Sequence, residues 1–338
     1  MQSDGMRQQK WPPVRASLRS HAAAGVTSLT LRPLTVVIPP SRRGVLVARR
    51  VVATGLAVIG PGLAGSRIVP VDRSASRGPS VRGEWVRGPR ARRDDAVILY
   101  VHGSAYTICS ARTHRGITTR LSQASGLPVF ACDYRLAPNH RFPSAADDVR
   151  AAYEWLLAEG HDPDRIVIAG DSAGGQLAVD LALQLINEGA RPPAALALFS
   201  PLFDPTFELA AGRERLRRDP MISAARAQQL LDLYFADEDR AAPRLTLSFD
   251  GAGSFPATLV QAGGREMMAA DAEALAAALV AAGGRCELEI WPGQMHVFQA
   301  LSRVVPEAPA AIARAAEFVV TELDAANRRG SFELLEGA

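Results

Sequence analysis

Only three cysteines, Cys109, Cys132 and Cys286, occur in 338 residues. Their number and wide spacing exclude a disulfide framework and a cysteine zinc cluster. No stretch reaches about 18 uninterrupted apolar residues, so no transmembrane helix is expected. Lysine is nearly missing: Lys10 stands alone, and every other basic residue among the 38 is arginine. That skew matches the codon usage of a GC-rich genome. Aromatic residues make up 6% of the chain, and the first 95 positions hold only Trp11 and Trp85. Nucleic-acid binding interleaves basic residues with aromatics or uses a reader motif, so no nucleic-acid partner is expected. Acid is scarce in the same 95 residues, where 16 Arg and Lys10 face Asp4, Asp72, Glu84, Asp94 and Asp95, a net +12. The remainder carries 21 Arg against 30 acids, a net −9 that leaves the whole chain at +3. Hydrophobic residues at 48% and charged residues at 22% supply a core and exclude a disordered chain. The length fits two domains of about 150 residues or one large α/β domain.

Residues 1–25 are polar, Arg-rich and contain Pro12 and Pro13, and read as a loose leader or short capping helix. Residues 41–65 follow a twin arginine with an apolar run ending in small residues, a pattern similar to an export signal. The run starts deep in the chain and Arg49-Arg50 splits it, which favours an amphipathic helix packed on the main domain. Peripheral contact with an anionic membrane is a further alternative for this segment. A cytoplasmic location is expected, with an exported or envelope-associated protein as the alternatives.

From residue 66 short β-branched runs alternate with helical patterns. The runs 67–71, 82–86, 96–101, 128–134, 165–170, 195–199, 258–263 and 286–291 read as strands. Helices are expected over 144–159, opened by Ser144 as N-cap, and over 173–188, about 270–282 and 305–325. This alternation implies an α/β fold with a mostly parallel sheet and helices on both faces. Segment 203–250 breaks the rhythm. It is charged and turn-rich, holds the helix-like run 223–235, and reads as an inserted cap or lid.

Chemistry concentrates at Gly170-Asp171-Ser172-Ala173-Gly174, a Gly-x-Ser-x-Gly pattern between a strand and a helix. Such a turn holds the serine in a strained conformation at a helix N-terminus, where backbone N–H groups favour developing negative charge. The strand 96–101 ends in His102-Gly103-Ser104-Ala105-Tyr106, a loop of small residues able to present N–H groups to an oxyanion. His102 itself reads as a structural loop residue. His21, His114, His140 and His161 are scattered and read as solvated or structural. The cysteines read as free, mostly buried thiols, with Cys109 close enough to the loop to line a site.

Four ordered segments carry a resemblance: residues 102–106, 133–148 (DYRLAPNHRFPSAADD), 170–175 (GDSAGG) and 293–298 (GQMHVF). Together they resemble the hormone-sensitive-lipase-like, HGGG-type serine esterases of the α/β-hydrolase superfamily, over about residues 80–325. The resemblance implies an α/β-hydrolase fold, an eight-stranded mostly parallel sheet with a helical cap. Residues 1–65 would then be leader and cap helices, and 66–330 the catalytic domain, with the cap insertion at about 203–250.

The resemblance also makes Ser172 the nucleophile and His296 the general base. Chain order then places the acid after strand 258–263, and Glu266 falls on the family's acid position, with Asp271 the alternative. Arg265 departs from relatives that carry an acid there; if it reached Glu266 it would lower that group's basicity. Ser104 and Ala105 replace two of three usual glycines, and their N–H groups with that of Ala173 would form the oxyanion hole. The added side chains narrow the acyl pocket, so a modest acyl group is expected. Asp133 and Arg135 are expected to be an internal ion pair or hydrogen-bond anchors. The implied activity is carboxylic ester hydrolysis of a small-molecule ester through an acyl-enzyme, with no metal and no organic cofactor. A related acyl bond (lactone, amide, carbamate or O-acetyl group) and a non-catalytic receptor are the competing readings. Oligomeric state stays open, a homodimer being one option.

Overall fold

The apolar runs become the strands of one sheet, in a computed structural model that describes residues 12–74, 79–236, 238–250 and 255–336. The strands are β1 (Arg67–Ser74), β2 (Ser80–Arg87), β3 (Val97–Val101), β4 (Val129–Cys132), β5 (Ile166–Asp171), β6 (Ala195–Phe199), β7 (Ala257–Gly263) and β8 (Cys286–Trp291). Their order across the sheet is β1-β2-β4-β3-β5-β6-β7-β8. β2 runs antiparallel to both β1 and β4, and the other pairs are parallel. β3 is buried at every position because layers cover both faces.

Among the described residues, two helices precede the sheet, α1 (Leu18–Val37) and α2 (Arg42–Ile59). Next come α3 (Arg115–Ser125), α4 (Ser144–Ala158), α5 (Ala173–Asn187), α6 (Glu208–Leu216), α7 (Ala224–Phe235), α8 (Ala269–Ala281) and α9 (Glu307–Glu336). Strand alternation divides the core. Val97, Leu99, Val101 and Ile168 pack with α4, α5 and α8, while Ile98, Tyr100 and Val167 pack with α3 and α9. Each fully buried aliphatic contributes about 1.5–3 kcal/mol, so the sandwiched strands dominate stability.

Several elements differ from the sequence expectation. α1 begins inside the segment read as a loose leader or short capping helix and runs well beyond it, to Val37, with Pro33 within it. Ser17 caps it by accepting the Ser20 N–H, and Glu307 of α9 accepts from Ser17 and Ser20 side chains. Ser144 is the first residue of α4 rather than its cap; Pro143 takes the cap position without a side-chain hydrogen bond. Asp133 and Arg135 do not pair with each other. Asp133 accepts the Ala111 N–H at 2.6 Å, and Arg135 pairs with Asp148 at 2.8 Å. Both are hydrogen-bond anchors just past the end of β4.

Parallel register brings the strand ends together. Val101 pairs with Gly170, so the loop after β3 lies beside the turn after β5, and Phe199 of β6 pairs with Gln261 of β7. The carboxyl ends of parallel strands are where such sheets place ligands.

Candidate active site

Ser172 sits between β5 and α5 at φ 51°, ψ −120°, a region that L side chains rarely adopt. Its N–H donates to Phe199 O at 2.9 Å, and its carbonyl accepts from Gly175 and Leu202 N–H groups. The turn is this tight because a Cβ at Gly174 would collide with the carbonyl oxygens of Val101 and His102. Chain crossing, rather than loop flexibility, demands that glycine.

His296 follows β8 and points Nε2 at Ser172 Oγ, 3.0 Å away. Its Nδ1 hydrogen-bonds Glu266 Oε2, which assigns the proton to Nδ1 and leaves Nε2 as the acceptor. Glu266 is buried after β7, and its other oxygen accepts from the Gly263 N–H and from Ser200 Oγ at 2.7 Å. Ser200 in turn accepts the Val297 N–H at 3.1 Å, tying the end of β6 to the histidine loop. Burial disfavours charge on His296, but the Glu266 carboxylate, with lesser help from Asp219 and Asp171, outweighs it and raises the imidazole above its ordinary value. The remaining members of the predicted set lie apart. Asp271 accepts the Phe203 and Asp204 N–H groups rather than a histidine. Among the described residues no ion pair joins Arg265 to Glu266.

The loop after β3 is built on three consecutive non-glycine residues with positive φ, Ser104, Ala105 and Tyr106. That strain is held from several sides. Thr107 and Ile108 N–H groups donate to Ser104 O, Ala137 N–H donates to Tyr106 O, and Tyr106 OH donates to Gln176. Arg49 of α2 reaches down to Thr107 O at 2.9 Å and Ala137 O at 3.0 Å. Among the described residues no acceptor is found for the N–H groups of Ser104, Ala105 and Ala173. All three residues line the same cavity as Ser172 and His296.

His102 is buried and its pKa is pushed down to about 3 by desolvation and by neighbouring His114. It is therefore neutral; Nδ1 donates to Gly103 O at 3.0 Å, and the ring stacks on Tyr134 at 4.3 Å. Beneath the serine turn, Asp171 accepts from Tyr100 OH at 2.7 Å and from His114 Nε2 at 3.3 Å. Burial opposes charge on both partners, yet their mutual attraction holds Asp171 below the usual carboxylate range and His114 above the usual imidazole range. This internal pair supports the floor of the turn. Cys109 lines the cavity, but burial pushes its thiol up to about 11, which leaves it unreactive.

Sequence reasoning missed Ser200 and Arg49, and it left His114 between a solvated and a structural role, of which burial against Asp171 selects the second. None lies in a motif: Ser200 precedes a proline in an ordinary strand exit, and Arg49 stood out only as a charge splitting an apolar run. The cavity, about 770 Å³, is walled by α1, α2 and α7 and by methionines 221, 267, 268 and 295. No group of three or more potential metal ligands occurs among the described residues.

A serine, an imidazole and a carboxylate in line, beside unpaired N–H groups, can carry acyl transfer. Comparison with known proteins agrees. Residues 98–300 match the family described as alpha/beta hydrolase fold. The carboxylesterase/phospholipase LipF of Mycobacterium tuberculosis is 35% identical over 260 residues, covering 71% of this chain and 67% of its own. An acetyl-hydrolase of Streptomyces hygroscopicus is 37% identical over 239 residues, covering 70% of this chain and 79% of its own. The crystal structure of an esterase from the bacterial hormone-sensitive lipase family superposes with TM-score 0.78 at 33% identity, covering 91% of this chain and 99% of that one. The chain belongs to the α/β-hydrolase fold family, in its hormone-sensitive-lipase-like esterase branch, and is a carboxylic ester hydrolase.

Proposed function

We propose that the protein is a serine carboxylesterase for short- to medium-chain esters, acting through Ser172, His296 and Glu266 and a covalent acyl-enzyme. The unbroken chain from Ser172 Oγ through both nitrogens of His296 to Glu266 is the observation that carries this reading.

His296 Nε2 takes the Ser172 proton as Oγ bonds to the ester carbonyl carbon. The carbonyl π electrons move onto oxygen, which the Ser104, Ala105 and Ala173 N–H groups receive. Losing one such donor costs on the order of 3–4 kcal/mol of barrier. Glu266 keeps the imidazole oriented and stabilises its protonated form without taking the proton. Protonated His296 then gives that proton to the departing alkoxide as the C–O bond breaks. Water, deprotonated by His296, attacks the acyl-enzyme carbonyl, and the collapse releases the acid and restores Ser172.

The Ser104 and Ala105 side chains stand where glycines are usual and crowd the acyl side, which supports a modest acyl group. α1, α2 and the segment holding α6 and α7 act as the cap that sets substrate choice, since α1, α2 and α7 wall the cavity over Ser172. The relative named acetyl-hydrolase supports a second reading within the same chemistry, removal of an O-acetyl group. An ester panel that varies acyl and alcohol parts independently tests both. Turnover of C2–C8 acyl esters supports the proposal. A preference for C12 or longer overturns the acyl assignment, and activity confined to O-acetylated alcohols supports the second reading.

A further inference from the structure

α1 presents an apolar stripe to solvent. Ala22, Val26, Leu29, Pro33 and Val36 recur every three or four residues along it, and all are exposed. Leu29 is 81% and Val36 70% exposed. α2 adds exposed Leu46, Val47 and Val58. Single exposed aliphatics are ordinary on a protein surface; a continuous row along a helix is not, because surface helices turn polar residues outward.

The charged residues that α1 and α2 themselves carry are all basic. Between Asp4 and Asp72 the sequence contains no acidic residue and ten basic ones. Arg32 and Arg49 are occupied internally, by Glu214 and by the loop after β3. Arg42, Arg43 and Arg50 are exposed on α2, and no ion pair among the described residues engages them. The cavity over Ser172 opens here, since Val26 of α1 and Val51 of α2 both line it and are 61% and 37% exposed.

We propose that the α1–α2 face docks on a lipid bilayer bearing anionic phospholipid, and that the cavity mouth receives ester dissolved in that bilayer. Exposed aliphatics bury at the headgroup boundary while arginines meet lipid phosphate, the arrangement of interfacial helices. A second copy fits less well, because a two-fold contact through this face would set its unpaired arginines against their own images. A protein partner would be expected to meet aromatic anchors, and residues 12–66 contain no aromatic apart from His21. Docking rests on this surface alone; delivery of ester rests also on the hydrolytic reading.

Co-sedimentation of the full chain with vesicles tests the docking. Vesicles of equal parts phosphatidylcholine and phosphatidylglycerol should pellet the protein, phosphatidylcholine vesicles should not, and salt should weaken binding. Arg43→Gln with Arg50→Gln should lower the partition coefficient roughly thirtyfold. Leu29→Asp with Val36→Asp should abolish binding yet leave hydrolysis of soluble p-nitrophenyl acetate unchanged, which shows that the variant folds. These four residues lie outside the cavity lining. Failure of the unmutated chain to bind the anionic vesicles, or equal binding by both variants, overturns the proposal. So does a dimer that Leu29→Asp and Val36→Asp dissociate without any vesicle binding. A wild-type chain that binds vesicles but hydrolyses nothing overturns the hydrolytic reading and leaves docking standing.

Discussion

Replacing Ser200 by Ala removes one hydroxyl beside Glu266 and touches neither Ser172 nor the cavity lining. Ser200 Oγ donates to Glu266 at 2.7 Å and accepts the Val297 N–H at 3.1 Å. Glu266 keeps the Gly263 N–H and its bond to His296, so the carboxylate loses one of two donors on that oxygen. A buried hydrogen bond to a charged group is worth about 1.5–3 kcal/mol. If about 2 kcal/mol of that is felt only when His296 is positively charged, kcat falls roughly thirtyfold. KM for p-nitrophenyl butyrate should hold, because no contact with bound ester is removed. Ser200 also sits at φ 49°, so Ser200→Gly loses the same hydroxyl while relieving backbone strain. The two variants should therefore share the kcat loss but differ in Tm, with Gly the more stable. A kcat within twofold of wild type in both, with an unmoved pH profile, would refute the role given to Ser200. So would a kcat loss in Ala that Gly restores, which would trace the effect to strain.

The acid limb of kcat/KM should lie above the ordinary imidazole value of about 6.5, because His296 is raised and must be neutral to act as base. Glu266→Gln removes the attracting carboxylate, so that limb should move to lower pH while the plateau falls; an unmoved limb in a pH–rate series contradicts the coupling. Arg49→Ala frees the carbonyls of Thr107 and Ala137 and should lower kcat about tenfold by loosening the strained loop, at roughly 1.5 kcal/mol for a charged hydrogen bond. Steady-state kinetics check this, and Arg49→Lys should not restore it, since one ammonium cannot match the two-point grip. Gly174→Ala should leave little folded protein by circular dichroism, because its Cβ meets backbone oxygens that cannot move.

Legibility followed physical cause. β3 and β5 were readable because burial on both faces forces uninterrupted apolar runs. Ser172 was readable because chain crossing demands glycines around a strained serine, which leaves a pattern in the sequence. Glu266 and His296 needed the resemblance as well, since a lone glutamate and a lone histidine carry no local signature. The bounds of α1 were not legible, although a cap helix was allowed within 1–65: Pro33 interrupts its pattern, and it is apolar on its solvent side as well as toward the cavity, so no single-sided stripe marks it. Ser200, His114 and Arg49 act through contacts distant in sequence, and no spacing rule reaches them. Arg49 is the instructive case: the charge that broke an apolar run is the one that clamps the loop beside Ser172.

Fluorophosphonate labelling followed by peptide mass mapping identifies the residue that attacks the acyl carbon. One adduct is expected, on the peptide bearing Ser172, formed in parallel with loss of esterase activity and absent in Ser172→Ala. Undiminished hydrolysis by Ser172→Ala, or inactivation with the adduct on another residue, would contradict that role for Ser172.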